Sequence, residues 1–326
     1  MNLKRREFIK NVGIGGAGIV VAPSLLNGCC SNEKLFFKIS LAQWSLHKSF
    51  FGGSLNWQEF GKNLMTNPSA NLKGDIDPID FSLIAKRDYG IDAVEYVNTF
   101  YFDKANDMEY LKELKTRSDN EGVSNQLIMC DALGNLGDPD EANRKKTVEN
   151  HYPWVEAAKY LGCHSIRVNA ASDRSLSSDE QMKLAADGLR MLSEFGAEHK
   201  MNIIVENHGG MSSNAQWLAG VMETVGMKNC GTLPDFGNFR IGPDEEYDRY
   251  KGMEELMPYA KGVSAKAHEF DSEGNEVNSD FYRILKIVKD AGFKGYIGIE
   301  YEGSTLSEPE GIKATKLLLE KAGAQV

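Results

Sequence analysis

The feature that most constrains the fold is a regular alternation of short apolar runs with longer segments of helical periodicity. Eight runs rich in Val, Ile and Phe occur, and from the second onward they lie about 30 to 40 residues apart. This spacing matches a strand, a helix and two connections. The strand candidates are centred near Leu41, Val94, Leu127, Arg167, Ile204, Leu233, Ala265 and Gly298.

Eight such units predict a (β/α)8 barrel, a TIM barrel, as a single domain. Two doubly wound domains would need a linker, and the sequence shows none. Acidic or capping residues at 138–141, 177–180 and 307–310 predict helix starts. The first connection is longer than the others, and residues 48–76 are expected to form an insertion on the active face, where long loops often act as lids.

The N-terminus has a different character. Residues 1–28 hold Lys4, Arg5, Arg6 and Lys10 against one acid, followed by an apolar stretch too short and Gly-rich to span a membrane. Residues 4–10 resemble a twin-arginine signal, and residues 26–29 resemble a lipoprotein cleavage box ending in Cys29. We expect an export signal (1–28), a short linker (29–35) and a barrel (36–326) in the periplasm or lipid-anchored through Cys29. The alternative is an ordinary disordered N-terminus with chance arginines.

The remaining chain is acidic. Of 47 acidic and 37 basic residues, 46 and 33 lie after residue 28, so the net charge there is −13 against −10 for the whole chain. This excess argues against nucleic acid as a partner, because phosphate binding needs clustered Lys and Arg. Cys130, Cys163 and Cys230 have no metal-site spacing and are expected to be buried.

Four consecutive strand candidates end in an ionisable residue. Glu206, Asp235, His268 and Glu300 follow one another at separations of 29, 33 and 32 residues. The C-terminal ends of barrel strands meet at one face, so these side chains should converge. A lone Glu there is usually solvated and a lone His usually a core group, but four in succession favour a metal site. Three carboxylates and one imidazole suit one divalent ion: Mn²⁺, Mg²⁺, Co²⁺ or Zn²⁺.

This pattern resembles the xylose-isomerase-like superfamily of sugar isomerases and epimerases over residues 36–323, most specifically at 205–210 and 298–300. The resemblance implies that Glu206 and Glu300 both bind the metal and exchange protons with the carbon beside a carbonyl. The family's frequent Asp-x-x-His pattern is altered, because Asn238 replaces the His and could only hydrogen-bond a sugar hydroxyl. The endonuclease branch needs more histidines than the six present.

Several residues are candidates for binding the sugar. Strand alternation places Lys266 on the same side as His268 and His208 on the same side as Glu206. Lys266 could stabilise an oxyanion or form an ion pair in the barrel, and His208 could contact substrate or make a rim hydrogen bond. Arg167 is a further candidate, although an Arg and the Glu95 of the second strand could simply pair. Trp44 and His47 end the first strand, where an aromatic face suits a sugar ring, with a core Trp as the alternative.

The sequence therefore predicts an exported, metal-dependent isomerase or epimerase of a non-phosphorylated sugar or keto-sugar, acting by proton abstraction next to a carbonyl. One alternative is a lyase or hydratase that eliminates the substituent of a 3-keto-glycoside at the same site. Another is a non-catalytic sugar-binding surface protein. Both a monomer and an oligomer remain open.

Overall fold

The computed structural model describes residues 35–53 and 55–326. The export signal expected at 1–28 lies outside the described residues, as do the possible lipidation site Cys29 and the rest of the linker up to residue 34. No helix in the described ranges is long and apolar enough to cross a bilayer.

Eight parallel strands form one sheet in the described part of the chain. Their hydrogen-bonded order is β6-β5-β4-β3-β2-β1-β10-β9, so sequence neighbours lie side by side. Every predicted strand centre falls within an observed strand, and the (β/α)8 barrel is confirmed. The strands are β1 (Lys38–Ala42), β2 (Ala93–Val97), β3 (Ser124–Met129), β4 (Ser165–Val168), β5 (Asn202–Glu206), β6 (Cys230–Leu233), β9 (Val263–Ala267) and β10 (Tyr296–Tyr301). A two-stranded hairpin, β7 (Arg240–Gly242) and β8 (Glu245–Glu246), lies between β6 and β9 in sequence.

The barrel closes between the end of β6 and β9. Ser264 donates its backbone N–H to the carbonyl of Pro234 over 2.9 Å, and Phe236 donates to the carbonyl of Ser264 over 3.0 Å. Asp235 and Ser264 thereby form a parallel bridge just beyond the end of β6. The closure fixes the backbone of Asp235 against β9.

Helices follow the strands, and their ends carry the expected signals. Ser177 and Ser307 each form a capping box with the glutamate three residues later. Asp140 caps the helix that the acidic run at 138–141 predicts. The helices are α1 (His47–Phe51), α2 (Trp57–Thr66), α3 (Phe81–Tyr89), α4 (Met108–Asn120), α5 (Glu141–Leu161), α6 (Ser178–Glu198), α7 (Ala215–Val225), α8 (Arg249–Leu256), α9 (Phe281–Asp290) and α10 (Glu308–Gly323). Single turns of 3₁₀ helix occur at Gln43–Leu46, Pro68–Asn71, Pro78–Asp80, Asn98–Phe100, Gly210–Ser213 and Met257–Tyr259.

The insertion predicted in the first connection contains α1 and α2. It is fastened to the barrel by Glu308, whose carboxylate accepts hydrogen bonds from the backbone N–H groups of Lys48 (2.7 Å) and Ser49 (2.9 Å). The ring of Phe51 stacks on Phe100, which follows β2, at 4.7 Å between centroids. The insertion therefore packs over the C-terminal ends of β1 and β2.

Alternation along the strands separates an apolar layer from a polar interior. Side chains such as Val94, Ile166 and Ile299 are fully buried and belong to the one large apolar cluster that includes the helices. The alternate positions carry hydrogen-bonding and charged groups that contact one another: Ser40, Glu95, Arg167, Glu206, Lys266 and Glu300. The apolar core thus lies between the strands and the helices, and the interior of the barrel contains polar and charged side chains.

Candidate metal and sugar site

Three of the four predicted metal ligands meet at the C-terminal end of the barrel. Glu206 is the last residue of β5, Asp235 follows β6 and Glu300 lies on β10. One carboxylate oxygen of each lies within 4.8 Å of the other two. The residues are almost wholly buried, at 0%, 0% and 3% exposure. Charged groups this deep must be paired, protonated or bound to a cation.

The fourth predicted ligand, His268, does not belong to this group in the structure. It follows the last residue of β9, and its backbone N–H donates to Glu276 Oε1 over 3.3 Å, away from the strand ladder. The residue is half-buried and lines a neighbouring cavity with Arg240 and Arg249. The convergence predicted for four residues is therefore observed for three, and metal binding by His268 stays a prediction.

The free atoms of the carboxylates fit a hard cation. Asp235 Oδ1 accepts hydrogen bonds from the backbone N–H groups of Gly237 and Asn238, both at 2.8 Å, whereas its buried Oδ2 has no partner. Glu206 Oε1 accepts from Asn238 Nδ2 at 2.9 Å, and its Oε2 is also buried without a hydrogen bond. Orphaned oxygens on two adjacent carboxylates are what a divalent ion with oxygen ligands would satisfy.

The electrostatics show the same surplus of negative charge. Burial raises the pKa of Asp235 to about 6, with Lys266 opposing the rise and Glu206 adding to it. Burial also raises the pKa of Glu300, again against Lys266 and with Glu206. A bound cation would favour the ionised form of each, so the cluster and a divalent ion suit one another.

Arg167 joins the site to a carboxylate that was not predicted from the sequence. Its Nη1 donates to Asp131 Oδ1 over 2.6 Å, and its Nε lies 2.9 Å from Glu206 Oε2, close enough for an ion pair although the N–H is not aimed at that oxygen. Burial lowers the pKa of Arg167, but Asp131 and Glu206 raise it by more, and the net shift is upward. The suggested pairing of Arg167 with Glu95 is wrong, because Glu95 instead accepts a 2.6 Å hydrogen bond from Ser40.

Lys266 occupies the corresponding place beside the other glutamate. Its Nζ lies 3.2 Å from Glu300 Oε1 and 3.2 Å from Glu302 Oε1. The predicted ion pair of Lys266 is therefore observed, and stabilisation of an oxyanion by this lysine stays a prediction. Burial lowers its pKa, whereas Glu300 and Glu302 raise it by more, so the ammonium stays charged.

Two asparagines shape the loop after β6. Asn238 donates its amide to Glu206 Oε1, and its binding of a sugar stays a prediction. Asn207 is fully buried; it donates to the carbonyls of Asp235 (3.0 Å) and Asn238 (3.1 Å) and accepts from the N–H of Asp235 (2.7 Å). Sequence reasoning missed Asn207 and Asp131. The available signal was position alone, since Asn207 adjoins Glu206 and Asp131 follows the end of β3.

The remaining predicted residues lie around the rim. His208 is exposed, and it acts with Arg167 to lower the pKa of Asp131 against the effect of burial. Trp44 is half-buried, with its ring stacked on His47 at 5.0 Å between centroids. His47 Nδ1 lies 2.8 Å from the carbonyl of Trp44, which fixes the pair at the end of β1. Their binding of sugar stays a prediction.

Comparison with known proteins gives a consistent fold. Residues 84–322 match the family described as Xylose isomerase-like TIM barrel. A search of curated protein sequences finds no match. Among solved structures, a D-tagatose 3-epimerase-like protein is 19% identical with a TM-score of 0.62, covering 88% of this chain and 97% of that one.

Two further structures are informative for the site. The 3-keto-D-glucoside 4-epimerase YcjR from E. coli is 17% identical with a TM-score of 0.58, covering 75% of this chain and 94% of that one. The IolI protein, solved with a bound zinc atom, is 14% identical with a TM-score of 0.64, covering 89% and 99%. At these identities the likeness establishes the shared fold.

Proposed function

The chain belongs to the Xylose isomerase-like TIM barrel family, and on that premise we propose that it is a divalent-metal-dependent isomerase or epimerase of a non-phosphorylated sugar or keto-sugar. The observation that carries the proposal is the buried cluster of Glu206, Asp235 and Glu300, with ligand atoms within 4.8 Å of one another. Epimerases of tagatose, ribulose and keto-glucoside type among proteins of similar fold support the choice of reaction.

The metal would be held by Glu206, Asp235 and Glu300, with His268 as the fourth predicted ligand. A divalent ion at this position supplies Lewis-acid polarisation of a substrate carbonyl, which lowers the cost of removing the neighbouring proton. The IolI structure with zinc supports a metal at a site of this fold. Mn²⁺, Mg²⁺, Co²⁺ and Zn²⁺ all suit the donors.

The protein's own groups perform the proton transfer. Glu206 on β5 and Glu300 on β10 approach the same point from different sides of the barrel mouth. One carboxylate removes the proton next to the carbonyl, and the other returns it on the opposite face in an epimerisation. Asn238 donates to Glu206 Oε1, and Ser264 donates to Glu300 Oε2 over 3.1 Å. The second oxygen of each glutamate lies beside a cation: Arg167 Nε is 2.9 Å from Glu206 Oε2, and Lys266 Nζ is 3.2 Å from Glu300 Oε1.

The proposal is tested by proton exchange. Wild-type protein loaded with Mn²⁺ should incorporate deuterium from D₂O next to the carbonyl of a keto-sugar such as D-fructose, measured by NMR. Glu206→Gln and Glu300→Gln should each lose the exchange by about 10² to 10⁴-fold, the usual worth of a general base. Elemental analysis should still find metal, because an amide keeps one oxygen ligand. The matched control is Glu113→Gln on the outer helix α4, which removes the same charge and should exchange normally.

Exchange at the wild-type rate in both glutamine variants would refute the assignment of these residues as bases. Metal and tight sugar binding without exchange on any keto-sugar would instead support the non-catalytic sugar-binding protein.

A second candidate function uses the same site for elimination. A base that removes the proton next to a 3-keto group can expel the glycosidic substituent, which makes the protein a lyase or hydratase. The similarity of fold to a 3-keto-D-glucoside 4-epimerase favours a 3-keto-sugar as the substrate of such a reaction. Release of the aglycone from a 3-keto-glycoside, without interconversion of free sugars, would select this function.

We also propose export, on the basis of the twin-arginine-like and lipoprotein-like motifs in residues 4–10 and 26–29. Replacement of Arg5 and Arg6 together by Lys should retain the full-length precursor in the cytoplasm, measured by cell fractionation. An unchanged distribution would refute the signal. Cys29→Ser should abolish incorporation of a labelled fatty acid if the cysteine is acylated.

A further inference from the structure

A cavity of about 340 Å³ has in its lining Gly237, two residues after Asp235, and His268, two residues after Lys266. It lies between the β7–β8 hairpin and the segment that follows β9. Its lining holds two arginines and one glutamate, and includes Gly237, Arg240, Glu246, Arg249, His268 and Ser279.

Gly237 connects the cavity to the proposed metal site. Its N–H donates to Asp235 Oδ1 over 2.8 Å. A methyl group on its α-carbon would lie 3.2 Å from Cγ of Lys266, the partner of Glu300. Gly237 therefore joins the lining of the cavity to the residues of the carboxylate cluster.

The two arginines of the cavity have different surroundings. Arg249 is fixed: its Nη2 donates to Glu246 Oε1 over 2.7 Å, and its Nη1 donates to Ser279 Oγ and to the carbonyl of Phe236. Arg240 lies directly opposite Glu246 across the hairpin, but that carboxylate is engaged by Arg249. Arg240 is exposed, and no acidic side chain among residues 35–53 and 55–326 forms an ion pair with it.

The charges therefore leave one unmatched cation. Glu246 neutralises Arg249, so the guanidinium of Arg240 gives the cavity a net charge of one. A guanidinium presents its N–H groups as a fork that matches a carboxylate with two parallel hydrogen bonds. A carboxylate would neutralise the cavity, whereas a doubly charged phosphate would leave negative charge next to three more carboxylates.

We propose that the sugar substrate carries a carboxylate group, as a uronic or keto-uronic acid does, and that Arg240 binds this group in the cavity. The inference rests on the proposed function, since it names the substrate class of that site. Arg240 determines which sugars bind, because it holds the end of the sugar remote from the carbon that loses its proton.

The test compares D-fructuronate with D-fructose, which differ only in the replacement of the terminal CH₂OH by a carboxylate. Dissociation constants are measured by calorimetry on the full metal-loaded protein at low ionic strength. Wild type should bind the acid about tenfold or more tightly than the neutral sugar, as a charge-assisted hydrogen bond provides. Arg240→Gln should bring this ratio close to one. The control, Arg87→Gln, removes an exposed arginine at the end of α3, on the side of the barrel where β2 begins, and should keep the wild-type ratio.

A ratio near one in wild type, an unchanged ratio in Arg240→Gln, or no measurable binding of D-fructuronate would each overturn the proposal. Proton exchange recorded on the same samples tests the proposed function separately. A preference for the acid that depends on Arg240, without exchange, would refute the epimerase and support the carboxylate subsite.

Discussion

Substitution of Asn207 should weaken metal binding by more than its effect on the stability of the fold explains. Its side chain makes three hydrogen bonds, all to the backbone that carries Asp235 and Asn238. Asn207→Ala removes all three in a fully buried place. At about 1 kcal/mol for each bond, the free energy of unfolding should fall by about 3 kcal/mol. Since Asp235 is a proposed ligand, its misplacement should also weaken Mn²⁺ binding about 10 to 100-fold, the usual effect of losing a group that orients a ligand.

A matched control exists at the other end of the barrel. Asn125, near the start of β3, is also buried and makes three hydrogen bonds: it accepts from Tyr96 (2.8 Å) and donates to Ser118 (3.0 Å) and Leu161 (2.8 Å). Asn125→Ala should lower the free energy of unfolding by a similar amount, measured by urea denaturation of both metal-free variants. Titration calorimetry should then show that Asn125→Ala keeps wild-type Mn²⁺ affinity.

The comparison is decisive because stability is matched. If Asn207→Ala binds Mn²⁺ as wild type does, the loop after β6 does not orient a metal ligand. If both variants lose the same affinity, the loss reflects destabilisation of the barrel and not the position of Asp235.

Further predictions concern packing and pH. Gly298→Ala should lower the free energy of unfolding by about 1 to 3 kcal/mol, because a methyl group there would lie 2.6 Å from Glu95 Oε2. Gly61→Ala, which has open space around it in helix α2, should raise the free energy of unfolding by about 1 kcal/mol. Urea denaturation measures both, and equal effects of the two substitutions would contradict this account of the packing. Burial lowers the pKa of His151 to about 4 against the opposing effects of its Thr147 hydrogen bond and of Asp131. The unfolded chain therefore takes up a proton near pH 6.5 that the native state does not, and stability should fall by about 3 kcal/mol as the pH drops from 6.5 to 4. His151→Gln should lessen this slope in thermal unfolding, and an unchanged slope would assign it to other groups.

The fold could be predicted because its signal is repeated along the chain. Each strand is buried on its outer face and reads as an apolar run, and the spacing of the runs allows few topologies. Glu206, Asp235 and Glu300 could be predicted for the same reason, since strand ends in a closed parallel barrel share one face. His268 shows the limit of this reasoning. Asp235 and His268 both lie past the last residue of their strands, but Asp235 is bridged to Ser264 of β9, whereas the backbone N–H of His268 donates to Glu276.

The partners of these residues could not be predicted, since pairing depends on side-chain reach. Arg167 was a candidate partner for Glu95 by phase alone, yet it extends to Asp131 and Glu206 at the mouth of the barrel. Asn238 was predicted to bind a sugar hydroxyl, and its amide donation to Glu206 was not foreseen. Periodicity fixes which face a residue occupies, and the length of its side chain decides what it touches.

Each of the two proposed bases lies beside a buried cation that also pairs with a second carboxylate. Arg167 pairs with both Glu206 and Asp131. Lys266 pairs in the same way with both Glu300 and Glu302, so Asp131 and Glu302 are the outer carboxylates of the two groups. Both outer carboxylates remain ionised at neutral pH: Arg167 lowers the pKa of Asp131 against burial, and Lys266 lowers that of Glu302 to about 2 against burial.

The outer carboxylates explain how a buried base can accept a proton. When Glu206 or Glu300 becomes neutral, its cation would otherwise be left unpaired in the barrel, which is strongly destabilising. Asp131 and Glu302 keep Arg167 and Lys266 compensated at that moment, so protonation of either glutamate leaves no isolated buried charge. Because both glutamates have this support, either would be able to serve as acid or base in the proposed epimerisation, which runs in both directions.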